Sequence, residues 1–148
     1  MKTRRIPFVG FYLYIVAFVI LFVAYILVLT TFSAYSLSPD RFVVIFPLFA
    51  MWIIIVQVVM SFIDKDKPFW LNTIDLLFCF LVLFAFGRLL IPFLTPIGIY
   101  FTVNMGDLET YAIVVPRCIA GCVLFAVSCV VFITGSFFKV AIIKEGEK

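Results

Sequence analysis

"FVILFVAYILVL", residues Phe18–Leu29, is apolar at every position, whichever way the chain is wound. A strand of a membrane barrel alternates apolar and polar side chains over about ten residues, because one face meets lipid and the other the lumen. A run that is apolar on every side reads instead as a helix surrounded by lipid or by other helices. Followed outward in both directions, it extends over 8–31, and three further apolar runs cover 42–63, 73–91 and 111–138. Each approaches or exceeds the roughly 20 helical residues that cross a hydrocarbon core of about 30 Å.

Composition agrees with this reading. The chain has 148 residues, 66% hydrophobic and 13% charged, whereas soluble domains average about 45–50% apolar and about 25% charged residues. The expected fold is an all-α membrane protein. It is a compact four-helix transmembrane bundle, a single integral membrane domain over 1–148, with an extended apolar outer loop between its third and fourth helices.

The basic start "MKTRRIP" resembles that of a signal peptide. The apolar run behind it exceeds the usual core of about 7–15 residues, and "TTFSAYSLSPD" offers no A-x-A cleavage signal, so the first helix reads as a retained anchor. Lysine and arginine in short loops favour the cytoplasmic side. Lys2, Arg4, Arg5, Lys65, Lys67, Lys139, Lys144 and Lys148, eight of the eleven basic residues, fall on one side. Both termini are therefore expected in the cytoplasm, of a plasma or inner membrane. The net charge of +3 calls for no nucleic acid. The expected partners are the lipid bilayer and, within it, another membrane protein or further copies of the chain. Trp70 and Tyr35, Tyr100 and Tyr111 suit the two interfaces, and mid-membrane Trp52 reads as a helix–helix contact.

The first outer loop is short, making the first two helices antiparallel neighbours, and Asp40 is placed to cap the second. The connection "PFLTPIGIYFTVNMGDLE" is broken by Pro92, Pro96 and Gly98. From Ile97 to Asn104 it alternates with period two, which predicts an extended lid over the outer end. A re-entrant loop is less favoured, since backbone polar groups at depth need protein or water partners. Asp107 is placed as the cap of the fourth helix.

Several chemistries are missing from the sequence. There is no histidine, the commonest metal ligand and the usual base near neutral pH. Cys79, Cys118, Cys122 and Cys129 all lie within the spans without a C-x-x-C pair, and read as small apolar fillers. Neither phosphate-binding glycine loops nor nucleophile elbows occur. No cofactor, metal or catalytic residue is expected, and the chain is read as a non-enzyme.

Charges inside a membrane need an explanation, since at a helix centre they cost about 2.5–3.5 kcal/mol on insertion scales. Asn72 and Asp75 have the spacing of a capping box, which makes Asp75 first of all a cap. The alternative is an intramembrane polar pair with Gln57, exchanging protons or holding a cation. Arg88 is thirteen residues from Asp75, at about 100° per residue nearly on the opposite face. It is expected to pair with Asp107 or Glu109 as a clamp on the lid. Pro116 removes the amide that would bond Ala112 and is expected to kink the helix, with the Arg117 side chain rising past that site. Arg117 is expected at the head of a packing face carrying Gly121, Leu124, Ser128 and Gly135, small residues that permit close helix approach. The first functional expectation is a structural, accessory or interaction subunit held by Arg88, Arg117, Asp107 and Glu109. The alternative is a binding or transport component in which the two arginines attract an anionic lipid head group or small anion.

Overall fold

The computed structural model describes residues 4–34, 40–63, 69–102, 108–138 and 141–144. Within them lie four helices, α1 (Val9–Ala34), α2 (Arg41–Ile63), α3 (Phe69–Thr102) and α4 (Leu108–Ser136), and two short strands, β1 (Arg4–Pro7) and β2 (Ala141–Lys144). Segments of α1, α2 and α4 are long and apolar enough, by length and composition, to cross a membrane. The described chain is all-helical apart from one two-stranded ribbon.

The first two helices begin and end within a few residues of the apolar runs. Asp40 stands immediately before α2, and its Oδ1 accepts the Phe42 amide at 3.1 Å, satisfying one of the donors that a helix start leaves open. Pro47 and Pro116 lie inside α2 and α4, which continue past them.

The third helix departs from expectation. The extended lid gives way to helix over 92–102, because α3 begins at Phe69 and runs through Pro92 and Pro96 to Thr102. Each proline removes one backbone donor, but the two stand four residues apart, so the lost bonds fall on one face and the rest of the ladder continues. In an apolar segment an unbroken helix still satisfies most backbone groups, which an isolated extended segment would not. The alternation from Ile97 onward is too short to prevail over that constraint. At 1.5 Å per residue α3 is about 50 Å long, well beyond a hydrocarbon core of about 30 Å.

The ribbon has no counterpart in the sequence reading. β1 and β2 pair antiparallel, with Arg4 opposite Lys144 and Ile6 opposite Ile142. Four-residue strands give no usable period, and the adjacent isoleucines of "AIIK" are the only local hint. The pairing brings the start of α1 and the end of α4 together at what is termed here the ribbon end.

α1 packs most extensively against α4; α3 packs against both α2 and α4, and α1 meets α2 over a smaller area. Tyr14, Leu21 and Val28 of α1, Ile54 of α2, Phe78 and Val82 of α3, and Phe125 and Phe132 of α4 join in one core. The Phe78 and Phe132 rings stack at 3.8 Å between centroids, and Phe132 meets Tyr14 at 5.0 Å. Trp52 is not a helix–helix contact: it is 64% exposed. The buried positions of α2 are Val43, Pro47, Ala50, Met51, Ile54 and Gln57, a helical stripe that leaves Trp52 on the other side.

Small residues recur at seven-residue intervals among the buried positions of both α1 and α4, the helices that pack most extensively. Gly10, Ala17, Ala24 and Thr31 are buried along α1, and Gly121, Ser128 and Gly135 along α4. This spacing keeps each set facing its partner along a gently supercoiled pair. A Cβ added at Gly121 would lie 2.7 Å from Val28 Cγ2, and one at Gly135 would lie 3.2 Å from Leu13 Cβ. Gly121 thus meets the later part of α1 and Gly135 its start, so the pair is antiparallel. Gly87, on α3, has nothing within 4 Å of the corresponding position.

Gly121→Ala is expected to destabilise the protein by about 1–3 kcal/mol through overpacking. Val28→Ala in the same chain should recover part of that loss, giving a favourable coupling in a double-mutant cycle of thermal unfolding in detergent. Gly87→Ala, with open space before it, should be neutral or stabilising by up to about 1 kcal/mol. Additive Gly121 and Val28 effects would contradict the close contact.

Candidate functional site

Most hydroxyl side chains in these helices are satisfied locally. Thr30, Thr31, Ser61, Ser128, Thr134 and Ser136 donate to carbonyls three or four residues earlier in their own helix, a bond that lets a hydroxyl reside in an apolar helix. The polar groups that do more than this lie at two levels of the molecule.

At the end away from the ribbon, Arg88 of α3 reaches the start of α2. Its Nε lies 3.4 Å from Asp40 Oδ2, an ion pair that lacks hydrogen-bond geometry. Its guanidinium also sits 5.3 Å from the Phe42 ring centroid and 5.8 Å from that of Phe84. Asp40 therefore uses one oxygen to cap α2 and the other to hold α3. Both partners are partly exposed, so the ion pair itself contributes about 0.2–1 kcal/mol, with a similar amount from the aromatic faces. The acid beside Arg88 is thus Asp40; Asp107 and the side chain of Glu109, the partners expected from sequence, lie outside the described residues.

Arg117 does not head the packing face of α4. It is exposed, while Gly121, one turn further along the helix, is pressed against Val28. Helices that approach this closely leave no room for an arginine between them, and the side chain stays outside the seam. Cys118, Cys122 and Cys129, read from sequence as small apolar fillers, are buried in the core.

Nearer the ribbon end lies a polar layer to which every helix contributes. Gln57 of α2 is fully buried and its Nε2 donates to Asp75 Oδ1 of α3 at 2.5 Å. The structure thus joins Gln57 and Asp75, the pair singled out from sequence. It also removes the capping role from Asp75: α3 starts at Phe69, so Asp75 lies in the second turn, beyond the first-turn donors that a cap serves. The capping-box spacing from Asn72 misled because "FWL" upstream is itself helical. One turn along α3, the free thiol of Cys79 neighbours that of Cys129 on α4.

Tyr14 of α1 completes the layer. Its side chain is fully buried, and its hydroxyl makes no hydrogen bond to a described residue, a situation that costs about 1–3 kcal/mol in an apolar interior. It lies within electrostatic range of Asp75. No sequence signal marked Tyr14, since a tyrosine among apolar residues reads as core or interface. The described residues hold no cluster of three or more metal-ligating acids or cysteines.

Comparison with protein-family models, with curated proteins and with solved structures gives no match to this chain.

Replacing Asp40 separates its two roles. Asp40→Asn keeps an N-cap acceptor and loses only the charge, so a loss of under about 1 kcal/mol is expected. Asp40→Ala loses both and should cost about 1–2 kcal/mol. Thermal unfolding in mild detergent measures the difference, and equal effects of the two variants would remove the ion pair from the account.

Proposed function

We propose that the protein is a small multi-pass membrane protein whose four helices form a transmembrane bundle, and that it acts as a structural, accessory or interaction subunit rather than an enzyme. The observation that carries this reading is the division of its surfaces. Small residues of α4 press against α1, and Asp40 pairs with Arg88, so apart from the polar layer around Gln57 the interior is given to packing. The outward faces are apolar along each helix, with Tyr12 and Phe22 on α1, Phe49 and Trp52 on α2, Phe80 on α3 and Val130 on α4 all well exposed. Such a surface suits lipid and the side of another membrane protein.

The basic residues support an orientation in which the ribbon end is cytoplasmic. Arg4, Arg5 and Lys144 belong to the two strands, and this is the charge distribution that short cytoplasmic segments favour. A reporter active only in the cytoplasm, fused at either terminus, should then be active, and one inserted after Ser36 should be silent. The opposite pattern would invert the topology. Photo-crosslinkers at Phe49 and Trp52 in intact membranes should give a protein adduct of defined mass; lipid adducts alone would sink the interaction role.

One observation favours a second reading. Arg117 is an exposed cation near the end of α4 opposite the ribbon, where an anionic lipid head group or small anion would meet it. Its exposure predicts that Arg117→Gln folds with a stability change within about 0.5 kcal/mol. If that variant no longer retains an anionic lipid that co-purifies with the parent, the binding reading gains; unchanged lipid content removes it.

A further inference from the structure

We propose that Asp75 and Gln57, with the buried Tyr14 hydroxyl at the same level, form a proton-binding site in the helical bundle, in which the Gln57 amide holds the ionised carboxylate and proton uptake releases it. The inference goes beyond the role proposed above. It rests on how the helices pack, not on which way they cross a membrane.

The three residues come to one level although they belong to three helices. Tyr14 follows the start of α1 by five residues, Asp75 follows the start of α3 by six, and Gln57 precedes the end of α2 by six. At 1.5 Å per residue each is about 8–9 Å from its own helix terminus, and those termini share the ribbon end. Ring contacts fix the level independently. Tyr14 lies against Phe132 and Phe132 on Phe78, which is one turn from Asp75 on α3. Phe11 meets Phe62 nearer the helix ends.

The chemistry at this level is asymmetric. The hydrogen bond from Gln57 favours the carboxylate over the carboxyl, because an amide donor is strengthened by a charged acceptor. The Tyr14 hydroxyl is buried, has no described hydrogen-bond partner and lies in electrostatic range of the same carboxylate. A phenol is the second donor that rotation of the Asp75 side chain would engage. The apolar helices around the group act in the other direction and favour its neutral form. These opposed influences make the protonation state a property of the arrangement. The other titratable groups facing Asp75, among the described residues, are Cys79 one turn along α3 and, beyond it, Cys129 of α4; α2 presents Gln57 and Ser61, which do not titrate.

The step itself is a simple transfer. A proton from water adds to an Asp75 oxygen, no electron moves, and the reverse step returns it. Protonation removes the charge that Gln57 serves, so the polar link between α2 and α3 weakens. The Phe11–Phe62 ring contact, which also holds α2 at this end, does not depend on that charge.

Infrared difference spectroscopy of the full chain in lipid nanodiscs, titrated with acid and base, reads the site directly. The parent should show one carboxyl C=O band at the high frequency of an apolar setting, absent from Asp75→Asn. Gln57→Leu, which leaves the carboxyl in place and removes its amide donor, and Tyr14→Phe, which removes the neighbouring hydroxyl, should each displace the midpoint of that band. If Asp75→Asn fails to fold, the parent is compared with Tyr14→Phe alone, and a displaced midpoint of the high-frequency band supports the site. The proposal is overturned if Asp75 titrates with the exposed acids, or if both donor variants titrate with the parent. Detergent-solubilised protein gives the same comparison without a bilayer, so a wrong topology and an absent site yield different results.

Discussion

Close approach of α1 and α4 is the constraint on which the other contacts depend. In water, burial of apolar area drives helices together, but between helices already in lipid that force is largely absent and shape must replace it. The repeated small residues of both helices supply the shape. With Gly121 against Val28 and Gly135 against Leu13, the backbones come near enough for many weak contacts to form along the pair. The seam then fixes which face of α4 turns inward. Phe125 and Phe132 follow Gly121 and Ser128 around the helix toward α3, where Phe132 stacks on Phe78.

Polarity is handled differently at different depths. The hydroxyls of Thr30, Thr31, Ser128, Thr134 and Ser136 bond to carbonyls of their own helices, so these bonds exert little control over how helices meet. Arg88 is kept at the end away from the ribbon, among two aromatic faces and an aspartate whose other oxygen already serves α2. Gln57 and Asp75 join two different helices through a part-buried side-chain hydrogen bond. Such a bond is sensitive to rotation in a way that apolar packing is not. A methyl group tolerates a shift of half an ångström, whereas an amide donor and its acceptor do not.

Much of this was legible in the sequence, and for definite reasons. Uninterrupted apolarity over 18–29 excluded a barrel strand, and the capping role of Asp40 and the small-residue face of α4 followed from spacing. Pairing of Gln57 with Asp75 was legible only as equal depth. Proline chemistry was overweighted after Ile91: Pro92 and Pro96 each weaken a helix, but nothing in their sequence shows that the surrounding segment has no better way to satisfy its backbone. Arg117 stands one turn before Gly121, but helix spacing ignores how little room a glycine contact leaves for an arginine. The mid-membrane position of Trp52 suggests a helix contact, although its helix turns it away from the stripe that packs. The ribbon and Tyr14 depend on residues far apart in the chain, and local pattern carries no trace of them.

The ribbon also bears on the order in which the molecule is assembled. Its strands precede the first helix and follow the last, and the most extensive helix pair is likewise α1 with α4. Contacts between such distant segments carry a high loop-closure cost and form late. During synthesis, α2 and α3 meet as soon as α3 emerges, while α1 has its glycine-lined partner only after nearly the whole chain has been made. Until then its small-residue stripe is open to any other helix nearby. A chain arrested before α4 is therefore not a smaller version of this fold but one with its principal joint unmade.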